Sequence, residues 1–599
     1  MGQKPSQTAD DATTDGGSAS SLYGAYNFLL GCATPCADMG ASESTGSLVK
    51  VVQHCCISSE REAALELVEQ HRVIGDAGTM QIEDEDEIWA AWTSPRALDA
   101  AGHRQKLLVR PERDRRFEEL YTLDKKVGEG SFGNVYKAHA KSAHGAQRAV
   151  AVKVFSLASP IASPQAKVDS EEAKRKLASF ISECAMLSRL DHPYVVRMHE
   201  SFQSAGSLHL VLEMCQGGEL YNLLVRKIKE EDGLEEVTGQ IFFRQMLHAV
   251  GYLHAGRIVH RDVKPENFLV SGDTDRPEEL VLKLCDFGTA TVLTQQKPRS
   301  MVNIGTLSYT APEVYMRKGA DLPADIWSLG VVLYVMLTGT NPFRNGKETS
   351  KQETVKRIKS GVFATQRAGW LKVSEPGQDM VKKLLVLIED KRLTCCEALQ
   401  HGWVLGARRI SLPPNEEEPE ALAVKAIRVL RRMLKLQPPQ RNAVFACAMG
   451  ATEADLPQPA AWRALFLLLD ADNDGRLSID ECAAGLRRLT GISRSEVTEE
   501  DLRTAVQAAD LDGNSFLDWA EWLSVGLLTV AKLPEAGLVV EFAQRLLSRM
   551  CTSGQSEVVL GIWKAAQQLK TETDKEARKM PLSMDDLRLV LSSCEEAFQ

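Results

Sequence analysis

The stretch His260-Arg-Asp-Val-Lys-Pro-Glu-Asn267 decides the fold of this 599-residue chain, because four further motifs accompany it in chain order. Each motif alone is weak evidence, since a glycine turn between strands is common in soluble proteins. Five motifs in order make a coincidence negligible. The other four are Val127-Gly-Glu-Gly-Ser-Phe-Gly-Asn-Val135, Val150-Ala-Val-Lys153 with Glu183 downstream, Asp286-Phe-Gly288 and Ala311-Pro-Glu313.

The glycine-rich loop is the candidate phosphate-binding element. Its glycines let the backbone approach phosphate groups closely. The loop lacks the Gly-Lys-Ser/Thr ending of a P-loop, and no parallel βαβ unit follows it, so we do not expect that class of nucleotide site. The candidate nucleotide-binding residues in this loop are Val127, Gly128, Glu129, Gly130, Ser131, Phe132, Gly133, Asn134 and Val135.

Lys153 and Glu183 form the second candidate element. Lys153 lies on a strand of alternating character, where a lysine usually belongs to a solvated face. Glu183 follows on a predicted helix. A lysine paired to a glutamate at this separation can instead hold the α- and β-phosphates of ATP.

Together the five motifs resemble the signature of eukaryotic protein kinases over residues 117–403. The resemblance implies a bilobal α+β fold and phosphoryl transfer from ATP with Mg²⁺. In this interpretation Asp262 accepts or orients the proton of the substrate hydroxyl, and Lys264 stabilises the transferring phosphoryl group. Asn267 and Asp286 hold Mg²⁺, since hard cations prefer oxygen ligands.

The same resemblance implies the remaining contacts with ATP. Lys153 positions the phosphates and is clamped by Glu183. The hinge between the lobes corresponds to Glu213-Met214-Cys215, with Leu212 before it as the gatekeeper. The candidate ATP contacts outside the glycine-rich loop are Ala151, Lys153, Glu213, Cys215 and Glu219.

The acceptor is predicted to be Ser or Thr, because the lysine of the first stretch stands where tyrosine kinases differ. Glu219 resembles a family residue that contacts ribose and basic substrate side chains, and we assign a similar role to Glu266. The resemblance therefore implies protein substrates with Arg or Lys about three residues before the acceptor. The alternative is that both glutamates are ordinary surface charges. Glu313 and Arg392 match the family's structural ion pair, and Asp325 matches its buried anchor for the catalytic loop.

The activation segment contains no Asp or Glu between Thr289 and Pro312, so Arg261 has no acidic partner close by in sequence. Val302 stands where related kinases often carry a phosphorylatable or acidic residue. Ser300 and Thr294 are candidate phosphorylation sites. We therefore expect control to be exerted elsewhere in the chain.

The loop Asp470-Ala-Asp-Asn-Asp-Gly-Arg-Leu-Ser-Ile-Asp-Glu481 matches an EF-hand calcium loop throughout. It has carboxylates at positions 1, 3 and 5, the glycine of the sharp turn at position 6 and a bidentate glutamate at position 12. The candidate Ca²⁺ ligands are Asp470, Asp472, Asp474, Arg476 through its carbonyl group, and Glu481.

A second loop, Asp510-Leu-Asp-Gly-Asn-Ser-Phe-Leu-Asp-Trp-Ala-Glu521, departs from the pattern at Ser515, which replaces the glycine. A left-handed turn at a non-glycine residue costs about 1 kcal/mol, so we expect weaker binding. The glutamate at position 12 favours Ca²⁺ over Mg²⁺. Leu477 and Leu517 are predicted to pair the loops across a short β-bridge. The candidate ligands are Asp510, Asp512, Asn514, Phe516 through its carbonyl group, Asp518 and Glu521.

The predicted junction 404–441 lies between the kinase-like region and the two EF-hand loops. Its part 421–441 carries six basic residues and no acidic one, which suits an acidic, calmodulin-like groove. A helix packed on the kinase and a membrane-surface helix are the alternatives. The predicted apolar stripe of this helix consists of Val424, Ile427, Leu430 and Leu434.

The order of kinase, basic junction and EF-hand pair resembles the calcium-dependent protein kinases of plants and protists. The resemblance implies autoinhibition by the junction, relieved when calcium-loaded EF-hands grip or move it. That family usually carries four EF-hands, whereas the all-α region 442–530 holds two, and the helical tail 531–599 is interpreted as a degenerate second lobe. Two alternatives stay open: a calcium-sensing scaffold with an inactive kinase fold, and an active kinase with structural EF-hands.

Composition limits the partners and the cellular compartment that we expect for this chain. A net charge of −10 argues against a nucleic-acid partner, and 13 scattered cysteines form neither a disulfide framework nor a zinc motif. We expect no secretory signal, no transmembrane helix and a cytoplasmic location.

The N-terminal extension 1–116 is expected to be partly disordered, since its first residues are small and polar. It opens with Met1-Gly-Gln-Lys-Pro-Ser6, the N-myristoylation pattern, which makes Gly2 the candidate lipidation site. One acyl chain anchors only marginally, so membrane association stays an open alternative.

Overall fold

The computed structural model of the chain describes residues 117–129, 133–141, 148–157, 171–204, 206–231, 234–276, 279–302, 305–344, 350–406, 412–413, 415–493, 495–511, 513–529, 540, 543–544, 562, 564–566 and 584–596. Several predictions concern residues outside these ranges. They are those for the extension 1–116 with Gly2, for Gly130, Ser131, Phe132 and Asp512, and for most of the tail 531–599.

Within the described residues, the first lobe is built on a five-stranded antiparallel sheet of order β1-β2-β3-β5-β4. Strand β3 is central and carries Lys153, and helix α2 packs against it. The elements are α1 (Phe117–Leu120), β1 (Tyr121–Glu129), β2 (Asn134–Ala140), β3 (Ala149–Ser156), α2 (Glu171–Leu187), β4 (Met198–Ser204) and β5 (Ser207–Glu213).

The second lobe is mainly helical and is centred on α6, which is apolar on all sides and buried along most of its length. Asp321 caps the start of α6, and Gly339 ends it with a φ of 67°. The described helices are α3 (Leu220–Glu231), α4 (Glu236–Ala255), α5 (Pro312–Tyr315), α6 (Leu322–Thr338), α7 (Lys351–Ser360), α8 (Ala368–Lys372), α9 (Glu375–Leu384), α10 (Cys395–Leu399) and α11 (Gly402–Leu405).

Short strands of the second lobe position the catalytic motifs. Strands β8 and β9 form a hairpin that ends two residues before Asp286. Strand β7, directly before the first stretch, pairs with β10 at the start of the activation segment. The strands are β6 (Gly218–Glu219), β7 (Ile258–Val259), β8 (Phe268–Ser271), β9 (Val281–Leu284) and β10 (Thr291–Val292).

The described part of the C-terminal region is helical apart from one short bridge. Leu477 pairs with Leu517 and Ser478 with Phe516 in antiparallel register, as predicted for the two loops. The elements are α12 (Pro419–Met433), α13 (Pro438–Gly450), α14 (Pro459–Leu469), β11 (Leu477–Ser478), α15 (Ile479–Thr490), α16 (Glu499–Gln507), β12 (Phe516–Leu517), α17 (Trp519–Leu527) and α18 (Met584–Glu596).

Helix α12, in the predicted junction, packs against α14, α15, α16 and α17. The predicted apolar stripe was only half right: Ile427 and Leu430 are buried, Val424 is half-buried and Leu434 is 46% exposed. Helix α12 ends at Met433, so Leu434 lies beyond the buried face. Because helices surround α12 on several sides, its buried face is wider than one stripe. That face comprises Leu422, Ala423, Ala426, Ile427, Val429, Leu430 and Met433.

The fold class is confirmed: a bilobal α+β kinase fold precedes an all-α region. The predicted boundary at residue 441 falls inside α13, and that at residue 403 falls inside α11. Among the residues that the structure describes, no helix is long and apolar enough to cross a membrane.

Candidate active site and calcium-binding loops

Lys153 and Glu183 form a buried ion pair in the first lobe. The Nζ atom of Lys153 lies 2.8 and 2.7 Å from the two carboxylate oxygens of Glu183, and 3.3 Å from Oδ1 of Asp286. Burial disfavours the charged lysine, but the two carboxylates outweigh it and raise the pKa of Lys153. The ammonium group therefore stays charged at neutral pH, which an anchor for phosphate oxygens requires.

Asp286 is aimed at this pair by its backbone. Its φ of 59° and ψ of 69° lie in the left-handed region, and the next residue, Phe287, is buried edge-on against His260. Burial opposes the charge on Asp286, but the ammonium group of Lys153 lowers the pKa of the carboxyl. An ionised carboxylate beside the phosphate anchor fits the chemistry of a Mg²⁺ ligand.

The carboxylate of Asp262 accepts hydrogen bonds from side chains and from the backbone. Its Oδ2 accepts from Nζ of Lys264 at 2.6 Å, and its Oδ1 accepts from the backbone and hydroxyl groups of Thr306 at 2.9 and 2.8 Å. Asn267 donates to the backbone oxygen of Asp262 at 2.7 Å and to Oδ2 at 3.2 Å. The structure thus brings together Asp262, Lys264 and Asn267, and adds Thr306.

Asp325 holds the loop that carries Asp262 in place. It is fully buried on α6, and its two oxygens accept from the backbone N–H groups of His260 at 2.8 Å and Arg261 at 2.9 Å. Burial opposes its charge, but hydrogen bonding to His254 and the field of His260 lower the pKa of Asp325. The anchor is therefore an ionised carboxylate, which binds backbone N–H groups strongly.

Arg261 faces the activation segment. Its backbone φ is 70°, its Nε donates to the carbonyl of Thr289 at 2.6 Å, and its Nη1 contacts the hydroxyl of Ser300. Ser300 is buried, in a bridge with Ala320. The predicted structural pair also forms, since Arg392 reaches both carboxylate oxygens of Glu313 at 2.7 and 2.8 Å.

Glu213 ends strand β5 at the hinge. Its Oε1 accepts from the backbone of Arg197 at 2.7 Å, and its Oε2 lies 3.3 Å from Nζ of Lys283. Because its side chain is engaged in this way, a contact with adenine would come from its backbone. Ala151 and Cys215 are buried beside the hinge.

Glu219 lies partly buried near Glu266. Burial, and then the carboxylate of Glu266, raise the pKa of Glu219. Two neighbouring carboxylates of this kind favour a cationic partner.

The described part of the glycine-rich loop is a hairpin. Gly128 pairs with Val135 and Glu129 with Asn134, while Val127 is 45% exposed. A Cβ atom on Gly133 would lie 2.4 Å from the carbonyl oxygen of Val154, so only glycine allows this approach to β3.

The first calcium loop is the strongest candidate metal site. Among the described residues, the carboxylate oxygens of Asp470, Asp472 and Glu481 lie within 4.8 Å of one another. Asp474 accepts from the backbone of Arg476 at 2.8 Å, and Gly475 has the φ of 80° that its position requires. This oxygen-rich donor set fits Ca²⁺.

In the described residues of the second loop, the carboxylate at position 1 accepts backbone hydrogen bonds as it does in the first loop. Oxygens of Asp510 accept from the backbone of Gly513, Asn514 and Ser515 at 2.8, 3.1 and 3.0 Å. Ser515 has a φ of 69°, so the expected left-handed strain is present. Glu521 is buried, and Phe516 lies in the bridge between the loops.

Several residues that shape this site were not predicted. For Thr306, the pair Gly305-Thr306 in the activation segment was the available signal. Lys283 is a charge inside the apolar strand β9, a pattern that indicates a buried partner. Asp191 and Glu453 contact distant residues, and no local pattern reveals them.

Comparisons with known proteins show that the chain is similar in sequence to protein kinases. A family model described as "Protein kinase domain" matches residues 121–404. Calcium-dependent protein kinase 9 of Oryza sativa subsp. japonica is 30% identical over 441 residues, which cover 72% of this chain and 70% of that protein.

Two other relatives come from a parasite and a plant. Calcium-dependent protein kinase 3 of Plasmodium yoelii yoelii is 28% identical over 414 residues, covering 68% of this chain and 69% of that protein. Calcium-dependent protein kinase 10 of Arabidopsis thaliana is 28% identical over 408 residues, covering 68% of each chain.

Proposed function

Because this chain belongs to the calcium-dependent protein kinase family and is a protein serine/threonine kinase, we propose that Ca²⁺ binding to its EF-hand pair controls phosphoryl transfer. The observation that carries this proposal is the position of the EF-hand region 442–530, here called the calcium-binding region. That region surrounds the junction helix α12 and also packs on the catalytic core.

The catalytic part of the proposal assigns a role to each residue. Asp262 orients the substrate hydroxyl and takes up its proton, while Lys264 stabilises the transferring phosphoryl group. Lys153 holds the phosphates, and Glu183 fixes the position of Lys153. Asn267 and Asp286 would hold Mg²⁺, which supplies neutralisation of phosphate charge.

Three contacts support these roles. Lys264 and Asp262 lie 2.6 Å apart, Lys153 lies within 2.8 Å of Glu183, and Lys153 also contacts Asp286. Phosphoryl transfer depends on positioning and charge neutralisation, and an assembled set of this kind supplies both.

The regulatory part of the proposal concerns α12. Its apolar face is buried among four helices of the calcium-binding region, and its exposed face carries Lys425, Arg428, Arg431 and Arg432. A basic, amphipathic helix of this type can leave such a groove to occupy an acidic substrate site. We propose that the junction inhibits the kinase in that position and is released when the EF-hands are loaded with Ca²⁺.

The proposed substrates are proteins with basic residues before the Ser or Thr acceptor. The support is the neighbouring pair Glu219 and Glu266, whose mutual repulsion a cationic side chain would relieve. Peptides with and without Arg three residues before the acceptor test this point. A preference that is lost in Glu219→Gln together with Glu266→Gln would support it.

The proposed location is cytoplasmic, with membrane association through a myristoylated Gly2. Mass spectrometry of the N-terminal peptide and comparison with Gly2→Ala test the lipid. A fraction bound to vesicles that is unchanged in Gly2→Ala would contradict it.

The decisive experiment is phosphate transfer from ATP and Mg²⁺ to a basic Ser peptide, titrated with free Ca²⁺. Activity should rise with Ca²⁺, vanish in Asp262→Asn and lose its Ca²⁺ response in Glu481→Gln. Activity that is flat with Ca²⁺ would make the EF-hands structural. No transfer on a wide substrate panel would favour the calcium-sensing scaffold.

A further inference from the structure

The loop 191–194 lies in the connection 188–197 between the helix that carries Glu183 and strand β4. The loop is held close to helix α2, because the turn 188–190 folds back on the helix with three backbone hydrogen bonds of 2.9 to 3.2 Å. Asp191, His192 and Tyr194 are each at most 4% exposed. A shift of this loop would therefore be transmitted to α2 and to Glu183.

The second calcium loop contacts Asp191 directly. The backbone N–H of Ala520 donates to Oδ2 of Asp191 at 2.6 Å, within the interior of the protein. Ala520 lies in the first turn of α17 and immediately precedes Glu521, the candidate ligand at position 12 of the loop. An acidic side chain at a helix N-terminus satisfies a free N–H group and complements the helix dipole.

The first calcium loop contacts His192 of the same kinase loop. A Cβ atom on Gly475 would lie 2.7 Å from Cδ2 of Tyr252 and 2.9 Å from Cδ2 of His192, so the loop backbone rests on these two rings. The rings stack on each other at 4.9 Å, and the hydroxyl of Tyr252 accepts from the backbone N–H of Asp191 at 2.9 Å. Both calcium loops thus meet one kinase loop.

Arg197 completes the contact. Its Nε lies 3.3 Å from Oδ1 of Asp191, and its Nη1 donates to the carbonyl of Ala451 at 2.6 Å. Ala451 follows the C-terminal end of α13, which packs against α17. The kinase therefore presents an anion to the start of one helix and a cation to the end of its neighbour, as the two helix dipoles favour.

We propose that Asp191 is a positioning residue through which the calcium loops hold α2 with Glu183 against Lys153. This inference rests on the proposed calcium control of the kinase, and it names the contact that delivers that control. Docking of the calcium-binding region stabilises the loop 191–194, and an undocked region leaves the Lys153–Glu183 pair without this support.

The test compares Asp191→Ala and Asp191→Asn with the wild-type full chain. The quantity measured is kcat/KM for ATP at saturating free Ca²⁺, divided by its value in chelator. We expect the ratio to fall about fivefold or more in Asp191→Ala, the range of a typical coupling energy. Asp191→Asn keeps an oxygen that accepts from Ala520, so its ratio should fall less.

Reciprocal coupling supplies a second measurement. If Ca²⁺ binding favours docking on Asp191, docking must favour Ca²⁺ binding by the same factor. Calorimetric Ca²⁺ titrations should therefore show weaker binding by Asp191→Ala than by the wild type. The exposed Asp275 provides a matched control, and Asp275→Ala should leave both quantities unchanged.

The outcomes separate this inference from the proposed function. If Ca²⁺ stimulates the wild type and Asp191→Ala to the same extent, the inference is overturned and calcium control stands. If Asp191→Ala loses activity equally with and without Ca²⁺, its role is structural and the inference is also overturned. If the wild type shows no stimulation, the proposed function fails, and the inference falls with it.

Discussion

Glu453 of the calcium-binding region lies 3.5 Å from Nζ of Lys283 in the catalytic core. Lys283 is buried on β9, and its ammonium group is also 3.3 Å from Glu213 at the hinge. Burial opposes the charge, but the carboxylates of Glu213 and Glu453 outweigh it and raise the pKa of Lys283. One buried cation therefore joins the hinge to the calcium-binding region.

Glu453→Gln should weaken both stability and ATP binding. The change leaves the ammonium group of Lys283 with one carboxylate instead of two, which should lower the free energy of unfolding by about 1–3 kcal/mol. We expect KM for ATP to rise about fivefold, equivalent to ~1 kcal/mol at the hinge. Denaturant unfolding and steady-state kinetics measure the two effects. The exposed Glu499 gives the control: Glu499→Gln should change stability by under about 0.5 kcal/mol. Equal effects of both changes would contradict this prediction.

Asp325→Asn should lower kcat more than it changes KM for ATP. An amide can accept through one oxygen only, so it cannot hold the N–H groups of both His260 and Arg261. Displacement of Asp262 by a fraction of an ångström should reduce kcat by about tenfold or more. Kinetics on the purified variant measure this loss. Asp321→Asn on the same helix is the matched control, since asparagine caps a helix as well as aspartate does. A loss of kcat of similar size in Asp321→Asn would contradict the role assigned to Asp325.

Ca²⁺ affinity at the first loop should increase as the pH rises from 6 to 8. Burial, and then the carboxylate of Asp474, raise the pKa of Asp470 from 3.8 to about 8. Ca²⁺ needs the ionised carboxylate, so its binding displaces a proton at pH 7. Titrations with buffered free Ca²⁺ at each pH measure the change in affinity. The comparison variant is Asp518→Asn, which changes a carboxylate of the other loop.

The same group fixes the sign of a stability effect. Because the folded chain retains a proton on Asp470 that the unfolded chain has lost, stability in chelator should fall as the pH rises from about 4 to about 8. In Asp470→Asn this component of the pH dependence should vanish. Parallel pH profiles of the two proteins would show the prediction to be wrong.

Ser515→Gly should strengthen Ca²⁺ binding at the second loop. The residue has a φ of 69°, and glycine adopts this region without the penalty of a Cβ atom. The relief of about 1 kcal/mol corresponds to about fivefold tighter binding. Calorimetric titration measures it.

Gly475→Ala is the opposite change at the matching position of the first loop. Here strain at φ 80° adds to collisions with Tyr252 and His192, so both Ca²⁺ binding and its effect on activity should decline.

An unchanged affinity in Ser515→Gly would mean that the backbone of the second loop is not what limits binding.

The catalytic chemistry could be predicted from the sequence because it depends on local motifs. The first stretch places Asp262, Lys264 and Asn267 within six residues, and the chain must bring them together whatever the rest of the fold does. The calcium loops are equally local, since each is twelve consecutive residues with its ligands at set positions. The stripe on α12 failed at Leu434 because periodicity does not show where a helix ends.

The residue types and spacing of the sequence were therefore sufficient to predict the kinase lobes and to propose the catalytic set and the two calcium loops. Only the tertiary structure decided how these parts meet. The contact of Ala520 with Asp191 spans 329 positions, and that of Glu453 with Lys283 joins a short helical turn to a buried strand. Such contacts follow from the packing of whole surfaces, where each buried polar group must find a partner, and no local pattern records which partner that will be.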